Sequence, residues 1–233
     1  MDLDYDFLRK HSHSNNDYQI AYNRGKFAMD HNDFEGALVD FSQSIDLNAA
    51  FEPAYEMKLH CLSKLKRFEA AIPIAEKLCV LNPKSDKRIF DLGMCQFKTE
   101  NYEKAKICFL KTIDLNPNNF WAYFRKGECN HKLKLKYEAF FDFTKCIELD
   151  SDYFGSYFIR GQVRGELFDE IGAINDFRIV LNKMPDDSLT IFNMGVSYFN
   201  LRNKEKAQFF LKKALNQGIM QAKPLLEQME SFK

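Results

Sequence analysis

Five histidines and six cysteines are the side chains of this sequence whose chemistry could hold a metal or supply a nucleophile. A zinc site needs several such ligands at short, regular spacing. No two of Cys61, Cys79, Cys95, Cys108, Cys129 and Cys146 form a CxxC pair, and the His11-x-His13 pair has no cysteine beside it. His31 and His131 fall near turns and are expected to face solvent. Metal and cofactor are therefore both expected to be none. A catalytic thiol needs a depressed pKa. Cys61, Cys95 and Cys129 instead recur every 34 residues in helical stretches, the pattern of small buried side chains. GxSxG and HExxH are missing. The glycines stand inside helical patterns, not in a phosphate-cradling loop. No catalytic residue is nominated, and the expected class is not an enzyme.

Composition narrows the partner. The 233 residues carry 33 basic and 33 acidic side chains, without the excess of positive charge that a phosphate backbone demands, so nucleic acid is not expected. No apolar run approaches the roughly 18–20 residues that cross a bilayer, so membrane insertion is not expected either. The first residues have no signal-peptide pattern. With unpaired cysteines, that points to a reducing, cytoplasmic location.

The elements that carry these residues repeat. Ala37, Ala71, Ala105, Ala139, Ala173 and Ala207 stand 34 residues apart. Gly25, Gly93, Gly127, Gly161 and Gly195 lie on the same grid, with Leu59 breaking the column. Phe41, Phe109, Phe143 and Phe177 form a third column, with Ala75 and Leu211 in its gaps. Pro83, Pro117 and Pro185 close three of the units, since proline cannot continue a helix. The grid divides the chain into a leader 1–17, expected to be poorly ordered, and units 18–51, 52–85, 86–119, 120–153, 154–187 and 188–221. A tail, 222–233, has Ala222, Leu225, Leu226 and Met229 at helical spacing, as suits a capping helix. Each unit reads as two amphipathic helices around a short polar turn. The small columns let the pair approach closely, and the phenylalanines are expected to fill the space to the next unit. Unit five holds Gly155, Gly161, Gly165 and Gly172, which predicts locally weaker helices.

At Leu92-Gly93, Tyr102, Ala105, Phe109 and Asn116-Pro117 the third unit resembles the tetratricopeptide repeat family. The resemblance extends over all six units. It implies an all-α fold, a right-handed superhelical solenoid of antiparallel helix pairs. One column departs: where the family has leucine before the glycine, this chain has Arg24, Lys58, Leu92, Lys126, Arg160 and Met194. Basic stems there are expected to lie along apolar surface with their heads in water. Some members clamp the C-terminal carboxylate of heat-shock chaperones with lysine, asparagine and arginine on three successive units. Set on units two to four, that pattern meets Glu56, His60, Asp91, Trp121 and Arg125, of which Arg125 alone matches. No such clamp is implied.

The resemblance also places the first helix of each unit on a concave face. One inward column reads Tyr22, Glu56, Phe90, Phe124, Phe158 and Phe192; another reads Met29, Ser63, Phe97, His131, Gly165 and Phe199. The rings either pack between adjacent helices or offer sockets to a partner's apolar side chains. On the second alternative the peptide-binding residues are Tyr22, Phe90, Phe97, Trp121, Phe124, Arg125, Phe158 and Phe192. The basic segment Arg125, Lys126, Lys132, Lys134, Lys136 is either a solvated turn or a seat for an acidic segment. The function so implied is a non-catalytic protein–protein interaction scaffold. It would hold a peptide or helix, largely apolar with few charges, in its concave groove. The alternative is an assembly subunit that uses its edge or end.

Overall fold

The computed structural model describes residues 17–231; the leader, apart from Asp17, lies outside the described residues. The described residues form thirteen helices and no strand. They are α1 (Asp17–Asp30), α2 (Phe34–Leu47), α3 (Glu52–Lys64), α4 (Phe68–Leu81), α5 (Asp86–Lys98), α6 (Tyr102–Leu115), α7 (Phe120–Lys132), α8 (Lys136–Leu149), α9 (Phe154–Glu166), α10 (Glu170–Lys183), α11 (Ser188–Asn200), α12 (Lys204–Asn216) and α13 (Ala222–Ser231).

Helices α1 to α12 pair as hairpins whose turns share one geometry. The middle turn residues Asn32, Lys66, Glu100, Lys134, Phe168 and Arg202 are all left-handed, with φ between 57° and 64°. The next amide then reaches back five residues: Asp33 N–H donates to the Ala28 carbonyl and Asn101 N–H to that of Gln96, each at 2.9 Å. This closure satisfies carbonyls that the helix end would leave orphaned. After α12 the same role falls to Gly218, at φ 91°, where a missing Cβ removes the strain.

The chain divides into two compact units, 1–117 and 118–233. In the first, α1 to α6 pack in chain order, and the first helices α1 and α3 also touch. In the second, α7 to α13 do the same, with α9 touching α11. Each unit is a stack of helical hairpins. Ala222, Leu226 and Met229 of α13 join Ile191, Met194 and Leu211 in one buried cluster, so α13 covers apolar surface of the last hairpin.

Two adjacent columns hold each hairpin together. A Cβ added at Gly25 would lie 2.7 Å from Phe41 Cε1; at Gly93, 2.8 Å from Phe109 Cε1; at Gly161, 2.6 Å from Phe177 Cε1. The phenylalanines therefore fill the space beneath the glycine of their own hairpin, not the space to the next unit. The exception in the glycine column is compensated: Leu59 stands opposite Ala75, and both are buried in one cluster. Large faces small in every hairpin, and only the side that carries the bulk is exchanged.

The preceding column works by charge. Arg24 Nε donates to Asp40 Oδ1 at 2.7 Å, Lys126 pairs with Asp142, and Arg160 donates to both oxygens of Asp176 at 2.9 and 2.7 Å. Arg24, Asp40, Asp142 and Asp176 are buried. The heads of these three basic residues thus meet carboxylates inside the hairpin instead of reaching water. Lys58, opposite Ile74, is only half-buried, whereas Leu92 faces Cys108 and Met194 faces Phe210 at the equivalent places. Of the four glycines of unit five, Gly161 and Gly165 are interior to a helix. Gly172 lies in the first turn of α10, its amide donating to the capping Asp169 Oδ1 at 2.9 Å.

Gly93→Ala should destabilise by about 1–3 kcal/mol in chemical denaturation, because Phe109 has no room to yield. Leu59→Gly and Ala75→Phe should each destabilise alone, while the double variant recovers at least about 1 kcal/mol of their sum. For the charged column, Asp40→Ala should cost about 3–5 kcal/mol by stranding Arg24. Arg24→Leu with Asp40→Cys, the pair found at Leu92 and Cys108, should return to within about 1 kcal/mol of wild type. A double variant as unstable as Asp40→Ala would refute the pairing.

Candidate functional site

The inward aromatics are mostly packing. Tyr22 meets Phe41 at 5.8 Å between ring centroids, Phe90 meets Phe109 at 5.4 Å, Phe124 meets Phe143 at 5.5 Å and Phe158 meets Phe177 at 6.2 Å. Each ring thus rests on the phenylalanine of its own hairpin. Phe124 is buried core, which removes it as a free anchor. Phe192 packs half-buried against the cluster of the last hairpins, and Phe97 lies edge-on to Tyr102 at 5.6 Å. Trp121 is different: 46% of it is exposed. The Arg125 guanidinium lies 5.9 Å from its ring centre and pairs with Glu128 at 2.6 Å. Trp121 and Arg125 form one surface patch of the second unit.

The basic segment is largely neutralised within the unit. Lys126 pairs with Asp142 and Lys136 with Glu166, the latter at 3.5 Å, while Lys132 and Lys134 remain exposed. His131 is not a solvated turn residue: half-buried, its Nε2 lies 2.8 Å from Glu166 Oε1.

Each unit has an open cavity between successive first helices. That of the first unit, about 350 Å³, lies between α3 and α5, with Glu56, His60, Lys87, Arg88, Asp91 and Lys98 among its walls. Arg88 bridges Glu52, at 3.1 Å, and Glu56. Burial pushes the Asp91 carboxyl up, against the pull of Lys87 and Arg88. That of the second unit, about 300 Å³, is walled by His131 of α7, Gln162, Gly165 and Glu166 of α9, and Asn193 and Asn200 of α11, with Glu170 at its floor. Charged and amide side chains stand beside apolar ones in both sets of walls. None of the phenylalanine or tyrosine rings of the two inward columns is among them, because helix packing consumes those rings.

The sequence from 64 to 142 matches the family model described as anaphase-promoting complex, cyclosome, subunit 3, and 190–216 matches that of the tetratricopeptide repeat. The chain is a tetratricopeptide repeat protein. No curated protein sequence matches it. Among solved structures it resembles YrrB, described as a tetratricopeptide repeat protein with an unusual peptide-binding site (TM-score 0.69, 22% identity, 82% of this chain and 98% of that one). It also resembles a tetratricopeptide repeat protein from Parabacteroides merdae (0.63, 18%, 96% and 88%). A third likeness is to the anaphase-promoting complex hetero-tetramer Cut9–Hcn1 (0.62, 16%, 96% and 44%). At these identities the likeness is one of fold.

In these repeats the recurring cysteines are core: Cys61, Cys95 and Cys129 are buried. Burial pushes the Cys61 and Cys95 thiols up to about 11. The sequence reading missed His60, Arg88, Glu170 and Asn200 of the cavities. Two signals were available for the last site. Gly165 stands in a column that holds Phe97 and Phe199, and Glu170 stands in one that begins Phe34, Phe68, Tyr102.

Burial raises the Glu166 carboxyl, but the His131 ring and the Lys136 ammonium outweigh it and hold the group below its ordinary 4.5. Stability from this cluster is therefore complete above 4.5 and lost as pH falls through the lower, folded value. Glu166→Gln should flatten the acid limb of the stability–pH profile below about pH 4.5 relative to wild type. Parallel profiles would show that the cluster contributes nothing.

Proposed function

We propose that this tetratricopeptide repeat protein is a protein-interaction scaffold that holds a partner segment against its layer of first helices. One observation carries the reading. The columns inside the hairpins repeat because packing demands it, whereas the residues that wall the cavities change type from repeat to repeat. Position 26 of the grid runs Lys26, His60, Met94, Glu128, Gln162, Val196. Side chains that packing leaves free and that surround open volume are free to be selected for a ligand. The segment that fits is mixed in character. Charged groups would meet the polar walls, and an apolar side chain would meet the exposed face of Trp121. The peptide-binding site described for YrrB is consistent with this use of the fold.

A second reading, a subunit of a larger assembly bound through its outer helices, is favoured by the match to an anaphase-promoting complex subunit. Val39, Ile107, Phe141 and Phe209 recur on the second helices as exposed apolar residues.

Cross-linking from cells followed by mass spectrometry would supply the partner segment, and binding would then be measured by titration. Trp121→Ala should weaken it about tenfold, the range of truncated interface anchors, with helical content unchanged. The segment should also shift Trp121 emission. Unchanged affinity for that variant, with loss on Phe141→Asp or Phe209→Asp, would transfer the site to the outer helices.

A further inference from the structure

The cavity of the second unit contains a carboxylate with an unused oxygen. Glu170 opens α10 and is only 6% exposed. Its Oε1 accepts from Asn200 Nδ2 at 2.6 Å, while its Oε2, fully shielded from solvent, has no hydrogen-bond partner. Burying a carboxylate oxygen without a donor is costly, and native proteins seldom leave one so. The residue also stands where the first three hairpins carry Phe34, Phe68 and Tyr102, so packing does not call for it.

The space in front of that oxygen is made by a second departure from the grid. Gly165 occupies the column of Phe97 and Phe199. A Cβ built on it would find nothing closer than Glu170 Oε2, at 3.8 Å. The glycine is thus not required by a neighbour, as Gly161 is by Phe177, and its lack of a side chain leaves room above the carboxylate. Around this opening stand Gln162, Asn193 and Asn200, with carbonyl oxygens able to accept. The cavity also holds Glu166, already bound by His131 and Lys136, and the imidazole of His131 itself. No lysine or arginine lines the cavity.

Resting on the scaffold reading, we propose that this cavity takes the cationic head of an arginine or lysine side chain from the partner segment, with Glu170 Oε2 as its counter-charge. A guanidinium or ammonium supplies the donor that Oε2 lacks and turns a buried liability into a charge-assisted hydrogen bond. The cavity's volume of about 300 Å³ accommodates one such side chain.

The test needs no partner. N-acetylarginine amide and N-acetyllysine amide are titrated into the full chain at neutral pH, with the amides of Gly161, Gly165 and Ser197 followed by NMR. The neutral isostere N-acetylcitrulline amide serves as control. At least one cationic probe should give saturable shifts at those amides, and citrulline none. Glu170→Gln should weaken the response about tenfold, the loss expected for a charge-assisted bond. Gly165→Phe, which restores the ring found elsewhere in the column, should abolish it by filling the cavity. Shifts that do not saturate, that citrulline reproduces, or that persist in both variants would overturn the proposal. A partner that ignores Glu170→Gln yet responds to Trp121→Ala would leave the scaffold standing and remove this pocket from it.

Discussion

Everything in this structure depends on complementarity between residues sixteen apart, where the first helix of a hairpin crosses the second. At one such position a side chain of one helix must fill the space left by the other: Gly25 under Phe41, Gly161 under Phe177, and the inverted pair Leu59 and Ala75. Dense packing permits neither a void nor an overlap there, so the sum is preserved while its parts are exchanged. One residue earlier the same crossing is matched in charge. A basic residue on the first helix is answered by an aspartate on the second in three hairpins, and leucine or methionine by an apolar residue in two others. Buried ion pairs add little net stability over apolar pairs, but breaking one is expensive.

Because these crossings absorb the phenylalanines, the remaining aromatics of the first helices have a surface to rest on. Tyr22, Phe90, Phe124 and Phe158 each lie on the ring of their own hairpin. That leaves these inward rings out of the cavity walls, where charged and amide groups stand beside apolar ones. The chemistry available to a partner is accordingly that of carboxylates, amides, lysines and histidine, supplemented by the half-exposed Trp121. The cavities differ between the two units because, beside packing residues such as Leu59 and Phe177, their walls hold side chains that hairpin packing does not fix.

The turns show how little of a repeat needs to be encoded locally. Six positions filled by five residue types, among them Phe168 at 90% exposure, adopt the same left-handed conformation without a single glycine. Closure of the preceding helix end, together with the crossing one turn away, outweighs the modest cost of a positive φ at a non-glycine residue.

The sequence alone determined the period, the helix pairs and the buried alanine column, since a spacing held through six units needs no knowledge of contacts. It also contained both compensations, the leucine for glycine at position 59 and the aspartates opposite the basic column. They went unread because a sixteen-residue separation becomes a contact only after two helices fold back on each other. The tertiary structure decided which way the side chains pointed. It placed the phenylalanines inside their own hairpins, turned the heads of Arg24, Lys126 and Arg160 onto aspartates, and turned His131 toward Glu166. It also set Glu170 beneath Gly165. Helical periodicity defines a face only to within a residue or two, whereas a cavity depends on the atoms of three helices meeting at one point.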